Sequence, residues 1–308
     1  MRPSNGQTLH RANALSNSMK TYKKLSGLIL VLIALFAANT IMAGFVSAAG
    51  ISIDAGLTPA ENRWIFRSQM RFMQRNNDPT PALREMKSYM LPVVVAYGIR
   101  SDLAIMIRQA LRRNEIKMQG LSSTNTGLID ILLLAKYRLL RVNTPGYTIG
   151  ISPTLGLEIP SGADNFTSNS WDLHLGTFVS GRSRSWGIDL NLTYVWNGMA
   201  RTSSANRDAG DEFSMESALA YQFGLGQNAN FALAPVIEFS YLKISSDSKD
   251  GNTIANTGES VLLLSPGFKV TLSSIILESL LQFPLWQNQL GLQTERAPRF
   301  LIGIRIMS

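Results

Sequence analysis

The sequence predicts an all-β protein: a transmembrane antiparallel up-and-down β-barrel of about 12 strands that follows a cleaved signal peptide. Three observations support this prediction. Apolar and polar residues alternate along the second half of the chain, aromatic residues bracket three of these runs at a constant spacing, and the gaps between candidate strands alternate between long and short.

Three aromatic pairs lie ten residues apart: Trp186 with Trp196, Phe213 with Phe223, and Phe231 with Tyr241. Ten residues that rise ~3.3 Å each at a tilt of roughly 40° climb about 25 Å. That is the height of the apolar band of an outer-membrane barrel, whose aromatic girdles mark its two edges. We therefore predict an aromatic girdle at these six positions. A soluble β-sandwich also alternates, but it gives no reason for aromatic residues at this spacing.

The N-terminal region predicts export. Lys20, Lys23 and Lys24 precede an apolar run over 28–36, and small residues ending in Val46-Ser47-Ala48 follow, as in a secretory signal peptide. A helical membrane anchor is the alternative, but the apolar run is shorter than the ~20 residues that span a bilayer. The predicted organisation is a misannotated upstream extension at 1–18, a signal peptide at 19–48 and the outer-membrane barrel at 49–308.

The basic charge of the chain lies largely in this N-terminal region. The formal net charge is +8, and five basic residues precede Asp54, which leaves +3 for the mature chain. The high isoelectric point is therefore no argument for a nucleic-acid partner. The chain has no cysteine, which fits export through an oxidising periplasm and excludes thiolate metal sites and cysteine nucleophiles.

Twelve candidate strands follow in order, and bacterial single-chain barrels have an even number. They are 62–74, 88–99, 102–113, 128–141, 147–159, 170–180, 186–196, 212–223, 230–243, 260–270, 275–286 and 298–307. The first strand places arginines on one face and aromatic residues on the other. Residues 101–113 also fit an amphipathic helix, but a hairpin turn and the strand count favour a strand. In 128–141 both parities are apolar, so Leu132 and Leu134 should point inward.

The later strands alternate most clearly. From Trp186 to Trp196 one parity is apolar, whereas Asp189, Asn191 and Thr193 occupy the other. The runs from Phe213 and Phe231 repeat this pattern, so each has one lipid-facing and one lumen-facing side. The final strand, 298–307, alternates in the same way.

The gaps between candidate strands alternate in length. The long gaps are 75–87, 114–127, 160–169, 197–211, 244–259 and 287–297, and the short ones are 100–101, 142–146, 181–185, 224–229 and 271–274. Short periplasmic turns and longer outer loops produce this asymmetry when both termini lie in the periplasm. A β-sandwich has no strict alternation of loop lengths.

Charged residues on the inward parity are predicted to line the pore. They are Arg63, Arg67, Arg71, Asp130, Lys136, Arg138, Glu158, Asp172, His174, Asp189, Glu216 and Glu238. Such groups pair across strands or line a solute path. The spacing of four between the first three arginines also fits a basic helix face, but the even positions of the neighbouring aromatic residues favour a strand. A row of guanidinium groups would concentrate anions in the lumen.

The sequence offers little sign of catalysis. His174 follows the signal region and has Asp172 on the same face, so a Ser–His–carboxylate hydrolase on the barrel wall is an alternative, although nothing marks a nucleophilic serine. A single histidine without cysteine makes no zinc site. No phosphate-binding glycine loop or acidic metal loop is found, so we expect no enzyme activity, no metal and no cofactor.

Three segments resemble the outer-membrane barrel family named for the meta-pathway of phenol degradation, whose members are often labelled transporters. They are YGIRSDL at 97–103, GLIDILLLAKYR at 127–138 and PTLGLEIPSG at 153–162. The most specific part is the Gly-x-x-Asp strand, Gly127 to Asp130, followed by the Pro-Ser-Gly turn. The resemblance implies an outer-membrane barrel of a kind proposed to pass small compounds, with aromatic compounds among the candidates, and it brings no catalytic or binding residues.

The predicted function is passive passage of small solutes, with small aromatic or hydrophobic compounds among the candidates, through the outer membrane of a Gram-negative bacterium. Small inward residues leave room along one wall: Gly150, Ser152, Gly156, Gly187, Ala218, Ala220, Ala232 and Ala234. The predicted lumen is polar and offers a hydrophobic solute no evident path. The expected partners are outer-membrane lipid, a small-molecule solute and the barrel-assembly machinery. A structural or adhesive barrel with a plugged lumen is the alternative, and the His174 hydrolase is the second.

Overall fold

The computed structural model describes residues 49–201, 206–224 and 231–308, and its regular elements are all β-strands. In chain order they are β1 (Trp64–Asn76), β2 (Glu85–Arg100), β3 (Leu103–Met118), β4 (Leu121–Leu128), β5 (Ile131–Tyr137), β6 (Leu140–Thr144), β7 (Tyr147–Ile159), β8 (Asp172–Ser183), β9 (Trp186–Trp196) and β10 (Met199–Arg201). There follow β11 (Asn206–Asp208), β12 (Glu212–Tyr221), β13 (Phe223–Gly224), β14 (Phe231–Ile244), β15 (Ser248–Lys249), β16 (Asn252–Thr253), β17 (Glu259–Leu272), β18 (Ile275–Gln289), β19 (Glu295–Arg296) and β20 (Arg299–Met307). The predicted extension and signal peptide lie outside the described residues. No helix in the described ranges is long and apolar enough to cross a membrane.

The wall is a closed antiparallel barrel. Each long strand pairs with its sequence neighbour, and β20 pairs with β1, which closes the ring. The wall has twelve strands within the described chain, because β4, β5 and β6 form one interrupted strand and so do β12 and β13. The predicted twelve-stranded barrel is therefore confirmed, and residues 103–118 are a strand rather than a helix.

The two faces of each wall strand differ sharply. On β9, Leu190 is 48% exposed whereas Asp189 is fully buried. Because hydrocarbon can cover apolar side chains at no cost, a continuous apolar outer surface fits a bilayer. The predicted girdle residues lie on this outer surface, where the rings of Phe213 and Tyr241 are 6.5 Å apart at their centroids and those of Tyr221 and Phe223 are 4.7 Å apart.

One predicted long loop, 114–127, is wrong in extent. β3 runs on to Met118 and pairs with β4 through a two-residue turn at Gln119 and Gly120. Both turn residues have positive φ angles, 49° and 81°, as a tight hairpin turn requires. The sequence concealed this hairpin because most residues of 114–127 are polar, so the regular alternation of apolar and polar residues ends there.

The closed wall leads to a first prediction. In SDS the unboiled protein should migrate faster than the boiled protein, because a closed hydrogen-bonded barrel stays folded until heat opens it. Gel electrophoresis of outer-membrane fractions with and without boiling measures this shift. Recovery of the protein in the soluble periplasmic fraction, with one mobility before and after boiling, would contradict the fold.

Candidate functional site

Residues 49–58, which we call the N-terminal arch, lie inside the barrel. Thr58 marks the point of entry, since its Oγ1 donates a 2.8 Å hydrogen bond to the carbonyl oxygen of Ser101 in the turn between β2 and β3. Ile51 and Ile53 are almost completely buried. The arch therefore occupies the lumen next to the short turns, which the loop-length rule places on the periplasmic side.

Two carboxylates of the wall hold the backbone of the arch. Glu238 Oε1 accepts hydrogen bonds from the backbone N–H groups of Ile51, at 2.5 Å, and Ser52, at 3.0 Å. Asp189 Oδ2 accepts one from the N–H of Gly50 at 3.0 Å. Both carboxylates are fully buried. Charged acceptors form the stronger class of hydrogen bond, so these contacts fix the arch firmly.

Two lysines of the wall bind carbonyl oxygens of the arch. Lys136 Nζ donates to the carbonyls of Ala55 at 2.9 Å and Leu57 at 3.0 Å. Lys269 Nζ donates to the carbonyl of Ala49 at 2.9 Å. The arch thus supplies partners to buried charges that would otherwise be costly inside the wall.

The positions of these contacts along the barrel axis show the course of the arch. Thr58 lies at the short turns, Glu238 lies halfway along β14, and Lys269 lies three residues before the short-turn end of β17. The arch rises from the short turns to the middle of the lumen and returns toward them. It therefore occupies the lower half of the lumen.

A cavity of about 350 Å³ lies directly above the arch. Its floor is Ser52, Ile53 and Asp54, and its walls come from β1, β2, β3, β5, β8, β9 and β12. One side is apolar, lined by Met90, Pro92, Val94, Met106, Ala110, Leu132, Leu134 and Phe178. The inward direction of Leu132 and Leu134 is confirmed. The lumen was expected to be polar, and the cavity has an apolar side in addition to its polar one.

Three arginines reach the cavity, and they differ in how they are neutralised. Arg67 Nη1 lies 3.5 Å from Asp54 Oδ1. Burial alone would raise the pKa of Asp54, but Arg67 and the neighbouring cations outweigh it and lower that pKa, so Asp54 is charged. Arg71 donates only to the amide oxygen of Gln69, at 2.6 and 3.1 Å, among the described residues. Arg108 Nη2 approaches Glu158 no closer than 3.8 Å.

Besides Asp54, two acidic residues of the cavity lie across the lumen from these arginines. Glu212 and Glu216 are on β12, which is on the opposite side of the ring from β1 and β3. Neither side-chain carboxylate forms a hydrogen bond or an ion pair with another described residue. The cavity therefore has a basic wall that is partly apolar and an acidic wall opposite it.

The remaining predicted pore residues have other surroundings. Asp130 accepts hydrogen bonds from the backbone N–H groups of Ser161, at 2.9 Å, and Gly162, at 2.7 Å. This contact joins the Gly-x-x-Asp strand to the Pro-Ser-Gly turn and fixes the long loop after β7. Asp172 accepts from Ser170 Oγ at 2.7 Å and from the N–H of Gly198 at 2.8 Å.

Two more predicted positions lie near the short turns. Arg138 Nη1 donates to Thr58 Oγ1 at 3.0 Å, so this side chain contacts the entry point of the arch. Arg63 is exposed and precedes β1. The three arginines predicted as one row are therefore split between the exposed barrel end, an ion pair with the arch and the cavity.

The geometry gives the hydrolase alternative no support. His174 Nε2 lies 3.3 Å from Glu158 Oε2 but forms no hydrogen bond with a described residue. Asp172 is turned toward the loop contacts given above, and no described serine hydroxyl donates to His174. Among the described residues, no group of three or more His, Cys, Asp or Glu side chains is placed to hold a metal ion.

The arch was not predicted, and of the apolar wall only Leu132 and Leu134 were expected to point inward. Ile51 and Ile53 pack against Ala218 and Ala220, so the arch fills the room that the small inward residues leave. Gly56 approaches the wall so closely that a Cβ atom there would lie 2.4 Å from the carbonyl oxygen of Phe178. The one available signal was the number of inward charges on the wall with no evident cross-strand partner.

A family model described as "Putative MetA-pathway of phenol degradation" matches residues 88–277, more than half of the chain. No curated protein matches. An outer membrane channel from Pseudomonas putida F1 is similar in structure, with a TM-score of 0.64 and 16% identity over 83% of this chain and 100% of that chain. The β domain of the Bordetella autotransporter BrkA has a TM-score of 0.47 and 10% identity over 80% and 99% of the two chains.

Proposed function

The chain belongs to the family of the MetA pathway of phenol degradation, and on that premise we propose that it is a passive outer-membrane channel for small solutes. The observation that carries the proposal is the cavity of about 350 Å³ enclosed by the barrel wall above the arch. A volume of this size is at the lower end of small-molecule sites, which span roughly 300–1,000 Å³. Its apolar side suits small aromatic or hydrophobic compounds.

The arch determines what can cross. Because Glu238, Asp189 and two lysines hold its backbone inside the lumen, we expect the arch to narrow the passage below the cavity. Solutes must pass beside the arch or displace it. The arch also favours the second candidate, a structural or adhesive barrel that transports nothing, since a permanent plug would serve that function equally well.

Planar-bilayer recording and liposome swelling separate the two candidates. We expect the refolded wild-type protein to give small discrete conductance steps and to admit solutes of one-ring size but exclude disaccharides. Heat-denatured protein is the control. Silent bilayers together with no swelling by the smallest solute would refute the channel and favour the structural barrel.

A further inference from the structure

Cationic and apolar side chains alternate from strand to strand at one level of the cavity wall. We call this row of Arg67, Val94, Arg108 and Leu132 the hoop. Register pairs Arg67 on β1 with Val94 on β2, Val94 with Arg108 on β3, and Arg108 with Leu132 on β5. Directly paired residues have Cβ atoms about 4.5–5.5 Å apart. Each guanidinium group of this hoop therefore lies beside an apolar side chain on the same face.

The apolar members of the hoop belong to a larger surface. Val94, Met106, Leu132 and Leu134 pack together as one buried cluster with Ala96. They form one side of the cavity, so an apolar group placed there would lose contact with water. The volume of about 350 Å³ limits that group to roughly one ring or a short branched chain.

Two guanidinium groups in the cavity are open to a ligand. Arg67 is paired with Asp54 at 3.5 Å, whereas Arg71 contacts an amide oxygen. Arg108 has only a long contact of 3.8 Å with Glu158, and its side chain is 44% exposed. A guanidinium binds a carboxylate through two parallel hydrogen bonds, and such charge-assisted bonds are stronger than neutral ones. An anionic group is therefore the partner that this wall fits.

The opposite wall restricts where an anion can bind. Glu212 and Glu216 on β12 face the same cavity and offer a carboxylate no cationic partner, so a carboxylate would bind on the side of Arg71 and Arg108. An inorganic anion gains no binding free energy from the apolar surface. A molecule with a carboxylate at one end and an apolar body gains binding free energy from the guanidinium groups and from the apolar surface. The arrangement thus orients a ligand across the lumen.

We propose that the cavity binds small amphipathic monocarboxylates, with an aromatic or branched aliphatic body on Val94 and Leu132 and the carboxylate on Arg71 and Arg108. This inference rests on the proposed channel function and names its substrate class. The carboxylate fixes the orientation, and the apolar wall gives the preference over inorganic anions of the same charge.

Three probes of nearly one shape test the charge requirement: benzoate, neutral benzamide and cationic benzamidine. Isothermal titration of the full refolded barrel in detergent, corrected with protein-free detergent, gives the three affinities. We expect benzoate to bind at least about tenfold more tightly than benzamide, as for a charge-assisted bond, and benzamidine to bind more weakly still. Equal affinity for benzoate and benzamide would overturn the inference.

The double variant Arg71→Gln/Arg108→Gln tests the assigned wall. It should remove the preference for benzoate over benzamide and leave heat-modifiable migration unchanged. Arg113→Gln is the matched control, because Arg113 is on the projecting part of β3 and pairs with Glu115 instead. A benzoate preference that survives the double variant would refute the site.

The inference and the channel proposal fail in different ways. If wild-type protein conducts and admits small solutes but shows no preference for benzoate, the channel stands and the carboxylate site falls. If benzoate binds through Arg71 and Arg108 but no conductance appears, the site stands and the channel falls.

Discussion

A barrel refolded without residues 49–57 should show a single-channel conductance severalfold above that of the chain from 49 to 308. The reason is that the arch lies in the lower half of the lumen, and its removal should leave a passage lined by the released side chains of Asp189, Glu238 and Lys269. The wall should still close, because its strands pair with one another and not with the arch. Planar-bilayer recording measures the change.

A point substitution tests the same contact without shortening the chain. Gly56→Ala would place a Cβ atom 2.4 Å from the carbonyl oxygen of Phe178, so the arch must move away from the wall and conductance should rise. Gly181→Ala is the matched control, since no atom lies within 4 Å of its added Cβ. Equal conductance in wild type, Gly56→Ala and the deletion would show that the arch does not limit flow.

Arginine in place of Leu190 should destabilise the folded barrel by about 2–4 kcal/mol, the cost of a charge on the lipid face near the middle of the bilayer. Leu190 is at the centre of β9 and is 48% exposed on the outer surface. Reversible unfolding in guanidinium chloride, with the barrel folded into lipid vesicles, measures the free energy of unfolding.

Arginine at the next position is the matched control. Asn191 is 3% exposed, lines the cavity and is paired in register with Glu216, so an arginine there would face the cavity beside a carboxylate and not the lipid. We expect a much smaller loss of stability than at Leu190. Equal losses at the two positions would contradict the assignment of lipid and lumen faces.

The sequence was sufficient for the wall because the wall is a local repeat. Lipid and the lumen lie on opposite sides of every strand, so the alternation of apolar and polar residues along β9 shows which residues face outward. The turn lengths indicate which end of the barrel faces the periplasm. The apolar inner wall was harder to predict. Val94 and Leu132 lie in strands that are apolar at both odd and even positions, so no period-two alternation separates the inner face from the outer face.

The arch was beyond the reach of sequence patterns for a different reason. Residues 49–58 have no regular secondary structure, and their partners are distant: Gly50 binds Asp189, and Ser52 binds Glu238. Every residue except proline has a backbone N–H group, so a contact made by that group does not restrict which amino acid donates it. The buried acids themselves were recognised as inward groups, but their partner could not be identified.

The central claim is that the arch divides the lumen into a solute cavity and a closed lower half, and thiol labelling tests it most directly. The chain has no cysteine, so single variants report one position each. Ser214 lines the cavity, whereas Ser265 is fully buried, pairs in register with Glu238 and has no hydrogen-bond partner for its Oγ among the described residues.

A membrane-impermeant maleimide added to whole cells should label Ser214→Cys and spare Ser265→Cys. When Gly56→Ala is added to dislodge the arch, Ser265→Cys should become reactive. Labelling of both positions at equal rates with the arch intact, or of neither, would contradict the divided lumen.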